Sequence, residues 1–319
     1  MGKWIIIGSV LIFILLFVLT VSYVCFVRIF YASRRGKVKE KTKITAPVVD
    51  GFAPFRPQIG EWMREVEGMD ARDMEITSFD GLRLRGYYYE YEKGAPIEIM
   101  FHGYRGNAKR DLCGGVIRAF KQGRSVLIVN HRASGESEGR VVTFGINESR
   151  DCLAWVDCVT REIDSDARII LTGISMGAAT VMIAAGSDEL PKNVVAVLAD
   201  CGYTSAEEII KNTMRNMKLP PRLLYPFARL GGRLFGGFDI DETSPIESLK
   251  KSKVPVIFIH GDADGFVPYD MSVRNFEACS SEKKKLVAIR GAGHGVAYPT
   301  DPDTYLSEIG AFFDEILEN

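Results

Sequence analysis

Arg168-Ile169-Ile170-Leu171-Thr172-Gly173-Ile174-Ser175-Met176-Gly177, running on into the Ala-rich segment Ala178–Ala185, is the stretch that decides how the rest of the chain is read. Arg168–Thr172 is a short apolar run of strand type, and Ala178–Ala185 favours helix. Between them lies G-x-S-x-G, a weak pattern alone but a specific one in a strand-turn-helix setting. A serine on so tight a turn takes strained backbone angles, so Gly173 and Gly177 on either side must lack side chains. Its hydroxyl then projects above the end of the strand. The Met176 N–H and the start of the helix face any negative charge that develops there.

Working outward, other short runs rich in Val and Ile end in turn residues. They are Met74–Phe79, Leu82–Tyr89, Ile97–Phe101, Ser125–Asn130, Val194–Ala199, Val254–Ile259 and Lys285–Ile289. Such runs suit strands buried on both faces. The first two join through Asp80-Gly81, a hairpin signal that puts an antiparallel pair at one edge. From Ile97 onward, helical segments alternate with strands at Asn147–Ile163, Ala178–Ala185, Met271–Cys279 and Asp303–Leu317. That alternation implies right-handed β-α-β units and a mostly parallel sheet. Between Asp200 and Val254 no good strand occurs. Ala206–Met217 and the run Leu219–Phe227 read instead as a helical insertion at about 204–250, over one end of the sheet.

A serine hydroxyl needs a base. Of the four histidines, His102 and His260 each end a strand, and His131 sits in Asn130–Gly135. His294, in Gly291-Ala292-Gly293-His294-Gly295, lies on a turn after the last strand. From there a base reaches over the carboxyl end of the sheet, where ligands bind in open parallel sheets. The acid that would orient it is open at this level: Asp262, Asp264 and Asp200 all follow the serine and precede the histidine.

With Gly173–Gly177, Asp264-x-x-Val267-Pro268 and Gly293-His294-Gly295 in this order, the chain resembles the α/β-hydrolase family over roughly residues 70 to 317, notably its single-anchor bacterial esterase-like and peptidase-like members. His102–Asn107 is similar to the family's oxyanion loop. The resemblance implies Asp264 as triad acid, and an oxyanion hole formed by the Tyr104 and Met176 N–H groups. Asn130–Gly139 resembles a family segment in which Asp is usual where Asn130 stands, and Arg132 is expected to bond neighbouring backbone. The reaction expected is that of a serine hydrolase on a small or lipid-like acyl substrate, an ester or thioester, through an acyl-enzyme. A peptidase or a silent binding protein of the same fold is the alternative. This chemistry requires no cofactor and no metal. The fold class expected is α/β: an α/β-hydrolase sheet of about eight strands with helices on both faces, a helical lid and one N-terminal transmembrane helix.

Composition agrees with a globular enzyme. Apolar residues are 46% and charged residues 25% of 319, so there is material for a core. The 40 basic and 41 acidic residues leave no basic excess, which argues against a nucleic-acid partner. Six cysteines are too few for a disulfide scaffold. One segment departs from the average: Trp4–Val27 has no charge and is long enough for about 30 Å of hydrocarbon. It reads as a retained anchor, with Trp4 and Tyr23 at its two interfaces. The organisation expected is therefore an anchor at 4–27, a basic juxtamembrane segment and linker at 28–60, and the hydrolase domain at 61–319. Arg28, Arg34, Arg35, Lys37, Lys39, Lys41 and Lys43 follow the anchor and only Lys3 precedes it, which favours a cell-membrane protein with its domain in the cytoplasm.

Overall fold

The computed structural model describes residues 2–32 and 50–318. The basic residues from Arg34 to Lys43 and the start of the linker lie outside the described residues. Chain order begins with α1 (Gly2–Ile29), a 3-10 turn at Asp50–Phe55, α2 (Arg56–Glu67), β1 (Arg72–Thr77), β2 (Arg83–Tyr89) and β3 (Ile97–Phe101). Then come α3 (Ala108–Asp111), α4 (Cys113–Lys121), β4 (Ser125–Val129), α5 (Ile146–Glu162), β5 (Ile169–Ile174), α6 (Met176–Ala185) and β6 (Val194–Asp200). The remainder is α7 (Ala206–Asn216), α8 (Pro221–Gly231), α9 (Pro245–Leu249), β7 (Val256–Gly261), α10 (Tyr269–Ala278), β8 (Lys284–Ile289), α11 (Ala297–Thr300) and α12 (Pro302–Leu317).

The eight strands form one sheet in the order β1-β2-β4-β3-β5-β6-β7-β8. β2 is antiparallel to both β1 and β4, and every pairing from β4 to β8 is parallel. This is an α/β-hydrolase architecture. Each strand feeds one core on each face, because its side chains alternate. Ile97, Ile99 and Phe101 join the core under α5 and α6, whereas Met100 joins the core under α2, α4 and α12. Hence the strands read as continuous apolar runs. Glu98 interrupts that pattern on β3: fully buried, it accepts hydrogen bonds from Arg118, Arg124 and the Thr172 hydroxyl.

Three details differ from the sequence reading. The first helix of the hydrolase body begins at Arg56, ahead of the expected start at 61, since Trp62 stacks on Tyr298 at 5.2 Å. Arg132 bonds the carboxylates of Asp151 and Asp80 rather than neighbouring backbone, because a buried guanidinium needs compensating charge. Tyr23, expected at a membrane interface, is half exposed and also packs on Phe235 at 5.2 Å, a lid contact that the sequence reading does not include. The insertion is helical as expected: α7, α8, a π-turn at Gly232–Gly236 and α9 fill it. It carries a third core, shared with Phe26 and Phe30 from the end of α1.

Candidate active site

β5 ends at Ile174 and α6 begins at Met176, so Ser175 alone makes the turn. Its φ of 57° and ψ of −113° are sparsely populated for a residue with a side chain. The flanking glycines permit this strain. A Cβ on Gly173 would lie 2.1 Å from the Gly177 carbonyl carbon, and one on Gly177 would lie 2.0 Å from the Phe101 oxygen. Neither position has room for even a methyl group.

The loops after β7 and β8 converge on this serine. His294 Nε2 is 2.9 Å from Ser175 Oγ, and His294 Nδ1 is 2.7 Å from Asp264 Oδ2. With the proton on Nδ1, the ring donates to the carboxylate and accepts from the hydroxyl. Ser175, His294 and Asp264 are each less than a tenth exposed. Phe266 packs edge-on to the His294 ring at 5.0 Å. On the other side, Gly51 and Phe52 lie against Gly293 and Gly295. That support comes from a segment whose sequence reads only as linker.

Asp264 is unusually well supplied with donors. Its Oδ1 accepts from the Phe266 and Val267 N–H groups at 2.8 and 2.9 Å. Its Oδ2 accepts from His294 and also from His260 Nε2, at 3.0 Å. The His260 tautomer follows from its neighbours: Nε2 faces two acceptors, Asp264 Oδ2 and Val267 O, so it carries the proton, and Nδ1 accepts from the Ser272 hydroxyl at 2.6 Å. Burial alone raises a carboxyl pKa, but the bonds from His260 and His294 outweigh it and hold Asp264 well below the usual range. Sequence reasoning passed over His260, and the signal available was its place four residues before Asp264 at the end of the same strand.

The two rival carboxyls form no hydrogen bond to His294. Asp262 Oδ1 accepts from the Gly291 N–H and ties the β7 turn to the β8 turn. Asp200 Oδ2 accepts from the Tyr305 hydroxyl at 2.9 Å, while its buried Oδ1 has no partner among the described residues. Burial raises the Asp200 pKa. The other histidines are internal: the His131 N–H donates to His102 Nε2, and their rings stand edge to face at 4.6 Å. Burial depresses the pKa of both. Asn130 Oδ1 accepts from the Ala108 N–H and its carbonyl from Ser137, so it serves the turn.

The loop after β3 runs beside the nucleophile. A Cβ on Gly103 would lie 3.5 Å from Ser175 Cβ. Tyr104 follows, and among the described residues no acceptor within the chain takes its N–H. Met176 is the first residue of α6, where a helix leaves its N–H groups unsatisfied. The Tyr104 side chain turns away: its hydroxyl donates to the Ile29 carbonyl at 2.6 Å and its ring lies on Phe144 at 5.1 Å. Met176 is buried in the lid core.

Cys201, Asp264 and His294 bring ligand-type atoms within 4.8 Å of one another. Both carboxylate oxygens and both ring nitrogens are already engaged, however, and burial holds the thiol pKa far above its ordinary value. The donors and acceptors of Asp264 and His294 are thus committed to one another, to Ser175 and to the loop backbone. The remaining cysteines of the hydrolase body are buried and free.

The family model described as the prolyl oligopeptidase family matches residues 119–319. The chain is 28% identical over 255 residues to the Bacillus subtilis protein YqkD, across 79% of this chain and 82% of that one. It is 32% identical over 148 residues to a thiohydrolase of Aspergillus aculeatus, across 44% of this chain and 46% of that one. In fold it is similar to an esterase from Pyrococcus furiosus, with a TM-score of 0.66, 24% identity, and coverage of 79% of this chain and 93% of that one.

Proposed function

This chain belongs to the prolyl oligopeptidase family and is a hydrolase of the α/β-hydrolase type; from that premise we propose a membrane-anchored serine hydrolase that cleaves an acyl ester or thioester. The observation that carries the reading is the unbroken hydrogen-bond chain from Ser175 through His294 to Asp264. Ser175 attacks the acyl carbon as His294 Nε2 takes its proton. The negative charge passes to the carbonyl oxygen, where the Met176 and Tyr104 N–H groups receive it. His294 then gives the proton to the leaving group, and an acyl-Ser175 remains. Water repeats the sequence and frees the acid. Asp264 stays ionised throughout and stabilises the imidazolium. Loss of fluorophosphonate labelling and of p-nitrophenyl ester turnover in Ser175→Ala tests this; near wild-type turnover in that variant rejects it.

The apolar lid core beside Met176 and the similarity to a thiohydrolase support a modest acyl chain on an ester or thioester. The description of the matching family favours a second reading, a peptidase or amidase. Faster cleavage of aminoacyl amides than of butyrate or octanoate esters would select it.

Anchoring rests on α1, a helix long and apolar enough to cross a membrane. The excess of Lys and Arg after it supports a cytoplasmic domain. Protease added to intact cells or spheroplasts tests that orientation: digestion of the domain without lysis overturns it.

A further inference from the structure

The lid packs along the second half of α1, from Phe17 to Phe26. The contacts advance in the same order on both partners: Phe17 meets Phe227 at 6.4 Å, Ser22 meets Gly231, and Tyr23 and Phe26 meet Phe235 at 5.2 and 5.9 Å. The approach at Gly231 is close enough that a Cβ would lie 2.3 Å from the Ser22 oxygen. Small residues that let backbones approach are how helices pack inside lipid, where apolar burial gives no drive.

This geometry limits how α1 can sit in a bilayer. Only residues 2–16 extend clear of the lid, about 22 Å of helix, and the hydrocarbon core is about 30 Å thick. An α1 that crosses the membrane therefore draws the lid helix beside it into the near leaflet. The lid surface suits that position. Outside α1, the described residues expose seven large apolar side chains, and five are here: Met217, Leu219, Leu223, Leu234 and Phe235. Exposed Arg215, Lys218 and Arg222 alternate with the first of them. Among the described residues none of the three forms a salt bridge, although Arg215 acts on Glu208 from a distance, whereas Arg229 and Arg233, further along, are paired with Asp239 and Asp241. Unpaired cations on long stems interleaved with apolar side chains are what an element at an anionic lipid surface presents.

We propose that the α7–α8 tip and the π-turn after α8 form a second membrane contact, seated with α1 in an anionic phospholipid bilayer. The inference rests on the anchoring part of the proposed function. It gives the lid a task, since the core it shares with Phe30 and Met176 joins the lipid to the site. A membrane-resident acyl substrate enters beside α1 without crossing water.

The test uses the full chain with Cys25→Ser, because the other five cysteines are buried. Leu223→Cys carries an environment-sensitive fluorophore, and Asp157→Cys, near the β1 edge, carries the same label as comparator. Each is reconstituted in vesicles of phosphatidylglycerol and phosphatidylcholine, with circular dichroism to verify folding. The proposal expects a blue-shifted Leu223 label that loses most of its emission to nitroxides on the lipid acyl chains, and an unquenched Asp157 label. Protein that floats with vesicles while its Leu223 label is quenched no more than the Asp157 label overturns the proposal and leaves the anchor standing. A blue shift without nitroxide quenching, as pairing of two lids would produce, also overturns it. Protein that does not float overturns both readings.

Discussion

Asp200 ends β6 and Asp264 lies three residues beyond the end of the neighbouring β7; both are buried and both satisfy the chain order of a triad, yet the protein treats them in opposite ways. Asp264 collects four donors and is held as an anion far below its ordinary pKa. Asp200 receives one phenol, leaves an oxygen unpartnered, and has its pKa raised by burial. The lesson is that a strand end makes a carboxylate available, but donors determine whether it carries charge. An imidazolium is stabilised only by an acid that stays ionised, so the donor count is what supports Asp264 over Asp200 in the proposed triad.

The strongest way to break this contrast is Asp264→Asn. It removes the charge and offers His294 the wrong tautomer, so ester turnover should fall by roughly four orders of magnitude with the fold intact. Initial-rate measurements check this, and a loss of less than tenfold would reject Asp264 as the acid.

Glu98 extends the comparison to a buried acid far from the nucleophile. Burial pushes its pKa up, but Arg118 and Arg124 overcome that and bring it down to about 2. A folded-state pKa below the unfolded value of 4.5 adds stability that is full above pH 4.5 and fades as pH falls towards 2. Glu98→Gln leaves two buried guanidiniums short of a partner and should cost about 3–5 kcal/mol at neutral pH. Denaturant titrations at several pH values measure both, and the variant should lose much of the acid dependence.

His260→Gln sharpens the contrast from the donor side. It removes an N–H from the charged Asp264 oxygen while His294 remains. Turnover should drop about tenfold, the weight of one charge-assisted hydrogen bond. A merely structural role would lower the melting temperature without changing kcat. The smallest effect belongs to Asp200→Asn. It keeps the acceptor for Tyr305 and removes a carboxyl whose ionised form burial disfavours, so activity should stay within a few-fold of wild type. Should this variant prove the most damaged, the acid sits on β6 and the comparison is reversed.

Much of this was legible in the chain. The strands β3 at Ile97–Phe101 and β4 from Ser125 follow directly from apolar runs bounded by turn residues, because strands buried on both faces tolerate little else. The pairing of Gly173 and Gly177 around Ser175 was readable because sterics at that turn admit no other residue. Less legible were the contacts made by distant parts of the chain. The segment at Asp50–Phe55 reads as linker, since Pro and Gly signal irregularity without saying where the chain goes. Arg132 reads as a turn residue because its carboxylates come from residues 80 and 151. His260 shows nothing local that separates it from His102, which also ends a strand and precedes glycine.

The sequence by itself determined the alternation of strands and helices, the strained serine between two glycines, and the order serine, acid, histidine. These depend on near neighbours, through backbone sterics and the periodicity of apolar side chains. Only the tertiary structure decided which of three aspartates meets His294, that a second histidine shares its oxygen, and that the lid lies along α1. Such choices depend on which donors and surfaces arrive from elsewhere in the chain, and the distance between two side chains in a folded protein is set by packing, not by their separation in sequence.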